Sequence, residues 1–187
     1  MVFLSRIYTK SGDAGETGLG DGSRVLKSSN RITACGEVDE LNATLGLVAA
    51  HIVDEHPLIR SIQNDLFDVG ADLCGPAEPA EGTALRVLAA QATRLEREID
   101  RLNERLEPLR SFVLPGGSVP SAWLHLARTV CRRAERSIVA LMQSESVNAN
   151  VLIYLNRLSD LLFVMARIAN DDGRSDVLWV PGKSREA

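Results

Sequence analysis

Gly12, Gly15, Gly18, Gly20 and Gly22 fall within eleven positions of a segment that also carries Thr9, Lys10, Ser11 and Thr17. Glycine lets a backbone turn its N–H groups inward and approach a phosphate closely. The lysine and the hydroxyls would add donors. No Gly-Lys-Ser/Thr follows at the spacing of a Walker A loop, so the segment reads either as an anion cradle of another type or as a plain flexible terminus. A second group is RTVCRRAER, where Arg128, Arg132 and Arg136 recur every fourth residue and Glu135 stands beside them. At about 100° per residue they share one helical side. Trp123, Ala127, Val130, Ala134 and Leu141 lie opposite and face the core. The stripe is a solvated face, or a site for phosphate or carboxylate, which the guanidinium fork grips in two-point contact. Like charges at this spacing oppose the helix by a few tenths of a kcal/mol unless something neutralises them. Because the stripe points away from the core, a functional partner must come from another loop or another subunit.

The segment YLNRLSDLLF repeats the division. Tyr154, Leu155, Leu158, Leu161 and Leu162 form the inward arc, and Asn156, Asp160, Phe163 and Arg167 line the other side. Phe163 is a large apolar ring on a polar seam, which is either a lone exposed residue of an ordinary kind or a contact for a ligand. Asp39 points away from the apolar face made by Val38, Leu41 and Leu45, on a side otherwise small at Cys35, Ala43 and Gly46. A carboxylate there wants a cationic partner, and the arginine stripe offers one. Glu37, Asp39 and Glu40 also offer carboxylates for acid–base work, although charged helix residues are too common to single that role out.

The elements that must position these groups are helices. Val38, Leu41, Leu45, Val48 and Ile52 recur at steps of three or four, predicting a first helix over Asn30–Val53. Pro57 suits the first turn of a second helix that runs to Cys74. Residues 75–83, GPAEPAEGT, read as a connection. A third helix is predicted over Ala84–Leu106, with Leu88, Leu95, Ile99, Leu102 and Leu106 on one stripe. Ser118 and Pro120 open a fourth that runs to Ser144, and a fifth covers Asn148–Asp171. The first 29 residues form a loop or short hairpin, and the tail, DVLWVPGKSREA, is too short for a further helix. With no alternating β-branched runs, the fold class is all-α: a five-helix bundle in a single domain, with a loop at 1–29, a bundle at 30–171 and a tail at 172–187.

Composition narrows the classes of function. The chain has 187 residues, 45% hydrophobic and 25% charged, with a net charge of −4. That balance gives no electrostatic footprint for nucleic acid, so an anionic ligand must be held by locally placed basic groups. Val151–Ala169 is interrupted by Asn156, Arg157, Asp160 and Arg167 and is not a membrane span. The N-terminus has no secretory pattern. Cys35, Cys74 and Cys131 are odd in number and far apart, and read as reduced, buried thiols of a cytoplasmic protein.

Taken in order, IYTKSGDAGETGL, GEVDELNA, FVLPGG, RTVCRRAER and YLNRLSDLLF resemble the ATP:cob(I)alamin adenosyltransferase family of the trimeric five-helix-bundle type, from Ile7 to about Asn170. The resemblance implies a homotrimer with active sites between subunits. It implies that ATP lies in the glycine-rich loop against Thr9, Lys10, Ser11, Gly12, Thr17 and Gly18, with Lys27 near the phosphates. Arg132, Arg133, Ala134, Glu135, Arg136 and Asn156 would complete the nucleotide site. Asp39 and Arg128 would form an intersubunit salt bridge beside the corrinoid, and Phe112 and Phe163 would pack on the corrinoid and exclude its lower nitrogen ligand. Asp39, Arg128, Arg132 and Asn156 are the residues it assigns to catalysis.

The implied reaction is attack of cobalt(I) on the 5′ carbon of ATP, with triphosphate leaving. It asks for alignment and charge stabilisation, with Mg²⁺ assisting, and needs no general base. A reductase would supply cobalt(I), and a cobalamin-dependent mutase would take the product. Two other readings are a corrinoid carrier and a non-catalytic ATP-sensing bundle. Some family members close the corrinoid pocket with a C-terminal segment bearing an aromatic residue; this tail offers only Trp179, and the lid stays unassigned.

Overall fold

The computed structural model describes residues 7–52, 57–75 and 85–185. Five helices make the body: α1 (Asn30–Ala50), α2 (Pro57–Cys74), α3 (Ala89–Asn103), α4 (Val119–Leu141) and α5 (Ala149–Ile168). α4 packs against both α1 and α5, α3 lies on α5, and α2 lies on α1. The periodic residues form the core as expected. Val38, Leu41, Leu45 and Val48 of α1 meet Leu124, Ala127, Ala134 and Ile138 of α4, and Leu155, Leu158, Leu161 and Leu162 of α5, all with 2% exposure or less. Each such valine, leucine or isoleucine side chain contributes roughly 1.5–3 kcal/mol on burial.

Side-chain caps fix where α1, α4 and α5 begin. The Ser29 hydroxyl accepts from the Ile32 N–H, that of Ser118 from the Ser121 N–H, and the Asn148 carbonyl from the Asn150 N–H. The predicted ends ran a few residues long. α1 stops at Ala50, and the predicted terminus at Val53 lies outside the described residues, as do 76–83 of the connection and Ala84.

The start of α3 is a correction. Residues 85–88 are not helical, and Leu88, placed on the buried stripe by periodicity, is exposed. The cause is polar. The buried Asp72 carboxylate accepts from the Val87 N–H at 2.8 Å, and the Val87 carbonyl accepts from Asn148 at 2.9 Å and Asn150 at 3.2 Å. Those bonds hold Val87 buried and outside the helix, which begins only at Ala89 after an extended Leu88. Beneath them, Asp65 of α2 gathers the Tyr154 hydroxyl at 2.8 Å, Gln91 at 3.0 Å and the Arg94 guanidinium, tying three helices together.

The glycine-rich segment is a hairpin of β1 (Glu16–Gly18) and β2 (Arg24–Leu26), antiparallel, with Thr17 opposite Val25. Gly22 takes the left-handed turn position, at φ 85°. The hairpin hangs on the end of α2, where the Gly20 N–H donates to the Cys74 carbonyl at 2.7 Å. The tail carries a single 3-10 turn at Lys183–Arg185, and Val113 and Leu178 form an antiparallel bridge that binds the tail to the α3–α4 connection.

Candidate active site

The loop ahead of β1 is folded over a lysine. Lys10 adopts a left-handed φ of 61°, the Thr9 and Ser11 hydroxyls are 2.8 Å apart, and Arg24 donates to the Ser11 carbonyl at 2.7 Å. A Cβ on Gly12 would come within 2.9 Å of the Lys27 ammonium, so glycine permits that lysine to lie across the loop. Lys27 is itself fixed by its N–H, which donates to the Gly15 carbonyl at 2.9 Å. The segment therefore brings Thr9, Lys10, Ser11, Gly12 and Lys27 together, with Thr17 and Gly18 on β1.

The arginine stripe divides. Arg132 and Arg136 are exposed, and the Arg136 guanidinium donates to the Arg132 carbonyl at 2.9 Å. Arg128 is half-buried, and its Nε is buried without a hydrogen-bond partner. Burial, and then the charge of Arg132, push the Arg128 pKa down. Among the described residues no carboxylate pairs with Arg128, Arg132 or Arg136. Arg133 instead turns back to α1, pairing with Glu40 and lying 3.9 Å from Glu37. Ala134 is in the core. Glu135 accepts from the Asn156 amide at 2.9 Å, which fixes Asn156 on the same outward face. Asp39 is exposed and unpaired among the described residues, and part of its small-residue side is already used, since Cys35 meets Cys74 and Gly46 faces Gln63 of α2.

Beyond Asn156 the face turns apolar. Phe163 stands two turns further along α5, about 10 Å away by helical rise. It lines a cleft of about 630 Å³ with Leu109, Arg110, Ser111 and Phe112 from the α3–α4 connection and Trp179 and Pro181 from the tail. Phe112 is 77% exposed, and its ring centroid lies 6.0 Å from that of Trp179. The Trp179 N–H donates to the Phe112 carbonyl at 2.7 Å, and Ser111 donates to the Trp179 carbonyl at 2.7 Å. The tail is thus one wall of the cleft. Two short apolar runs far apart in the chain, FVL at 112–114 and VLWV at 177–180, are the sequence signal for that pairing.

Arg167 is a further correction. Helical phase puts it on the polar seam, but it is buried, 2.8 Å from the Asp176 carboxylate, and also donates to the Glu107 carbonyl at 3.0 Å. Asn170 donates to Asp176 at 2.9 Å and packs so closely on Gly117 that a Cβ there would collide with its amide. Gly117, at φ 93°, is one position of the Pro-Gly-Gly turn where both backbone and packing require glycine. His125 also escaped the sequence reading. It is buried, its Nδ1 has no partner, and its ring meets the edge of Phe163 at 6.1 Å. Desolvation, then the Arg128 charge, hold its pKa below the usual histidine value, against a smaller opposing effect of Asp176.

Comparison with known proteins decides the family. The cobalamin adenosyltransferase family model matches residues 7–169. The chain belongs to the cobalamin adenosyltransferase family. A corrinoid adenosyltransferase of Mycobacterium tuberculosis (strain ATCC 25618 / H37Rv) is 50% identical over 195 residues, covering 100% of this chain and 98% of that one. A cobalamin adenosyltransferase of Cupriavidus metallidurans is 50% identical over 180 residues, covering 94% and 95%. Among solved structures, a phenylalanine-to-histidine variant of a PduO-type ATP:corrinoid adenosyltransferase from Lactobacillus reuteri, complexed with cobalamin and ATP, superposes with a TM-score of 0.87 at 38% identity, covering 94% of this chain and 97% of that one. In this cobalamin adenosyltransferase the arginine face lies on α4, and the aromatic cleft is built from Phe163 of α5, the α3–α4 connection and the tail. No helix among the described residues is long and apolar enough to cross a membrane.

Proposed function

We propose that this enzyme transfers the 5′-deoxyadenosyl group of ATP to the cobalt of a reduced corrinoid at sites shared by neighbouring copies of a homotrimer. The carrying observation is the continuity of an unneutralised cationic face, Arg132 with Asn156, and an apolar cleft, Phe112 with Phe163 and Trp179. A triphosphate suits the first and the flat face of a corrinoid the second. The whole-length relatives that act on corrinoids and the related complex with cobalamin and ATP support the same pairing of substrates.

The subunit-shared arrangement rests on reach. Glu40 stands beside Arg133, while the hairpin joins α1 at Ser29, about 16 Å away along the helix by its rise per residue. Phosphates held by Thr9, Lys10, Ser11, Gly12, Thr17, Gly18 and Lys27 are then met most readily by the Arg132–Arg136 face of another copy. Within that site Arg132, Arg136 and Asn156 are the contacts; Arg133, Ala134 and Glu135 support them, Arg133 through α1 and Glu135 by holding Asn156. The exposed Asp39 and Arg128, neither of them ion-paired among the described residues, would be matched across the same interface. The loop at 1–29, the bundle at 30–171 and the tail at 172–187 thus have separate tasks.

In the reaction the cobalt(I) lone pair forms the Co–C5′ bond as the C5′–O bond breaks, and the electron pair leaves on triphosphate. The protein's task is to hold the two reactants in line and to stabilise the charge that builds on the leaving oxygen. Lys10, Lys27, Arg132 and the loop N–H groups serve that charge. Among the described residues no cluster of three carboxylate, histidine or cysteine side chains could hold a metal ion, so Mg²⁺ would ride on the phosphates and neutralise them there. Phe112 and Phe163 keep a lower nitrogen ligand off cobalt, which eases the preceding reduction. A reductase supplies cobalt(I), and a cobalamin-dependent mutase uses the product. The free cysteines fit a reducing cytoplasm.

The test is anaerobic. Protein, ATP, Mg²⁺ and chemically reduced cob(I)alamin are mixed and the corrinoid spectrum followed. Formation of a light-sensitive alkylcobalamin with stoichiometric triphosphate is the expected result; corrinoid binding without conversion would instead mark a carrier.

A further inference from the structure

The sequence places Cys35 and Cys74 39 positions apart, yet folding of α2 onto α1 sets their sulfur atoms 3.5 Å from one another. Both thiols are half-buried, within reach of a small oxidant, whereas Cys131 is sealed in the core. Closing the gap to a disulfide bond of about 2.05 Å needs a movement of about 1.5 Å. The consequence would not stay local. Cys74 is the last residue of α2, its carbonyl receives the Gly20 N–H of the hairpin at 2.7 Å, and Arg31 grips the neighbouring Leu73 carbonyl at 2.5 Å. A Cβ on Gly20 would lie 3.0 Å from the Cys74 carbonyl oxygen, so hairpin and helix end are in close contact.

We propose that Cys35 and Cys74 form a redox site, a dithiol that a hydroperoxide closes to a disulfide and a small cellular thiol reopens, and that closure displaces the hairpin through Cys74. The Cys74 sulfur attacks the peroxide oxygen, the O–O bond breaks and an alcohol or water leaves, giving a sulfenic acid. The Cys35 sulfur then attacks that sulfur and expels water. In sum two thiols and one hydroperoxide give one disulfide, one alcohol (water from hydrogen peroxide) and one water. The thiol–thiol hydrogen bond brings the Cys74 pKa down to about 6, against the opposing effect of burial and with help from the Arg31 charge, and pushes Cys35 up, which favours Cys74 as the attacking sulfur. The 3.5 Å contact serves either order, and the balance is the same with the two exchanged. That the displaced hairpin alters ATP binding rests on the reading of the loop given above.

The experiment treats the full-length reduced protein with equimolar hydrogen peroxide and follows it by peptide mass mapping and by hydrogen exchange of the 16–27 hairpin. A Cys35–Cys74 linkage, with a mass loss of about 2 Da reversed by dithiothreitol, is expected. Faster exchange in the hairpin of the oxidised protein should accompany it, together with an ATP Kd raised about fivefold. Neither change should occur in Cys35→Ser. Free thiols after treatment, or Cys74 carried to sulfinic acid with Cys35 still reduced, would overturn the redox site. A disulfide with unchanged hairpin exchange would overturn its coupling to the hairpin. Altered exchange with unchanged ATP affinity would instead count against the hairpin as the nucleotide site.

Discussion

Asn156 reaches the arginine face only because Glu135 accepts its amide N–H at 2.9 Å, leaving its carbonyl oxygen available apart from a long contact with Arg157 at 3.4 Å. Hydrogen bonds to charged groups contribute about 1.5–3 kcal/mol, so Asn156→Ala should lower kcat/KM for ATP by roughly 10- to 100-fold. Steady-state kinetics with pre-reduced corrinoid would read it. Phe112, with 77% of its surface exposed beside Trp179, is assigned to the other substrate by the proposed reading. Phe112→Ala should slow turnover that depends on cobalt(II) reduction while the ATP Kd stays within about twofold; an equal loss of ATP binding would contradict its place in the cleft. His125 gives a pH signature. Its pKa is lowered by burial and by Arg128, with Asp176 opposing, so the folded chain keeps it neutral where the unfolded chain takes up a proton. Its contribution is present above the unfolded histidine value and lost as pH falls below it. Thermal midpoints should drop between about pH 7.5 and 5.5, and less steeply in His125→Gln.

At the scale of elements, the clamp formed by Arg167 and Asp176 decides where the tail lies. Both side chains are nearly buried, at 7% and 4% exposure, and removing one partner from such a pair typically costs about 3–5 kcal/mol. Asp176→Ala should destabilise by that order in a denaturant titration and make the segment after 176 an early site of limited proteolysis; Trp179→Ala should loosen corrinoid binding with far less loss of stability. The sequence showed the helices because burial repeats on a period near 3.6 in each, and Ser29, Ser118 and Asn148 marked three of the starts with their own caps. It did not show that Val87 would be held outside the helix by Asp72, Asn148 and Asn150, because those bonds join residues up to 63 positions apart. Arg167 was misplaced for the same reason. Helical phase puts it with Asn156 and Phe163, but the tail is held over it by its own ion pair with Asp176 together with the pairing of Phe112 with Trp179, and periodicity encodes neither.

At the scale of the whole molecule, the site residues legible in the sequence form two groups that one chain keeps apart, the hairpin with Lys10 and Lys27 and the outward face with Arg132 and Asn156. Their types and spacing could be read locally; on the proposed reading their meeting depends on a second copy, which no local pattern encodes. Asp39 and Arg128 follow the same logic. Each lacks an ion pair within the described residues, and Arg128 has a buried, unsatisfied Nε. Asp39→Ala should leave monomer folding intact and weaken both assembly and turnover, read by sedimentation and by corrinoid conversion. The most direct measurement is complementation. Lys10→Ala and Asn156→Ala proteins, each impaired alone, are dissociated, mixed, reassembled and given ATP, Mg²⁺ and cob(I)alamin without oxygen. If one copy's hairpin serves another copy's arginine face, some sites in the mixed assembly carry neither substitution, and alkylcobalamin formation should exceed the mean of the two parents several-fold. Conversion no greater than that mean, while wild-type protein converts normally, would contradict a site shared between copies.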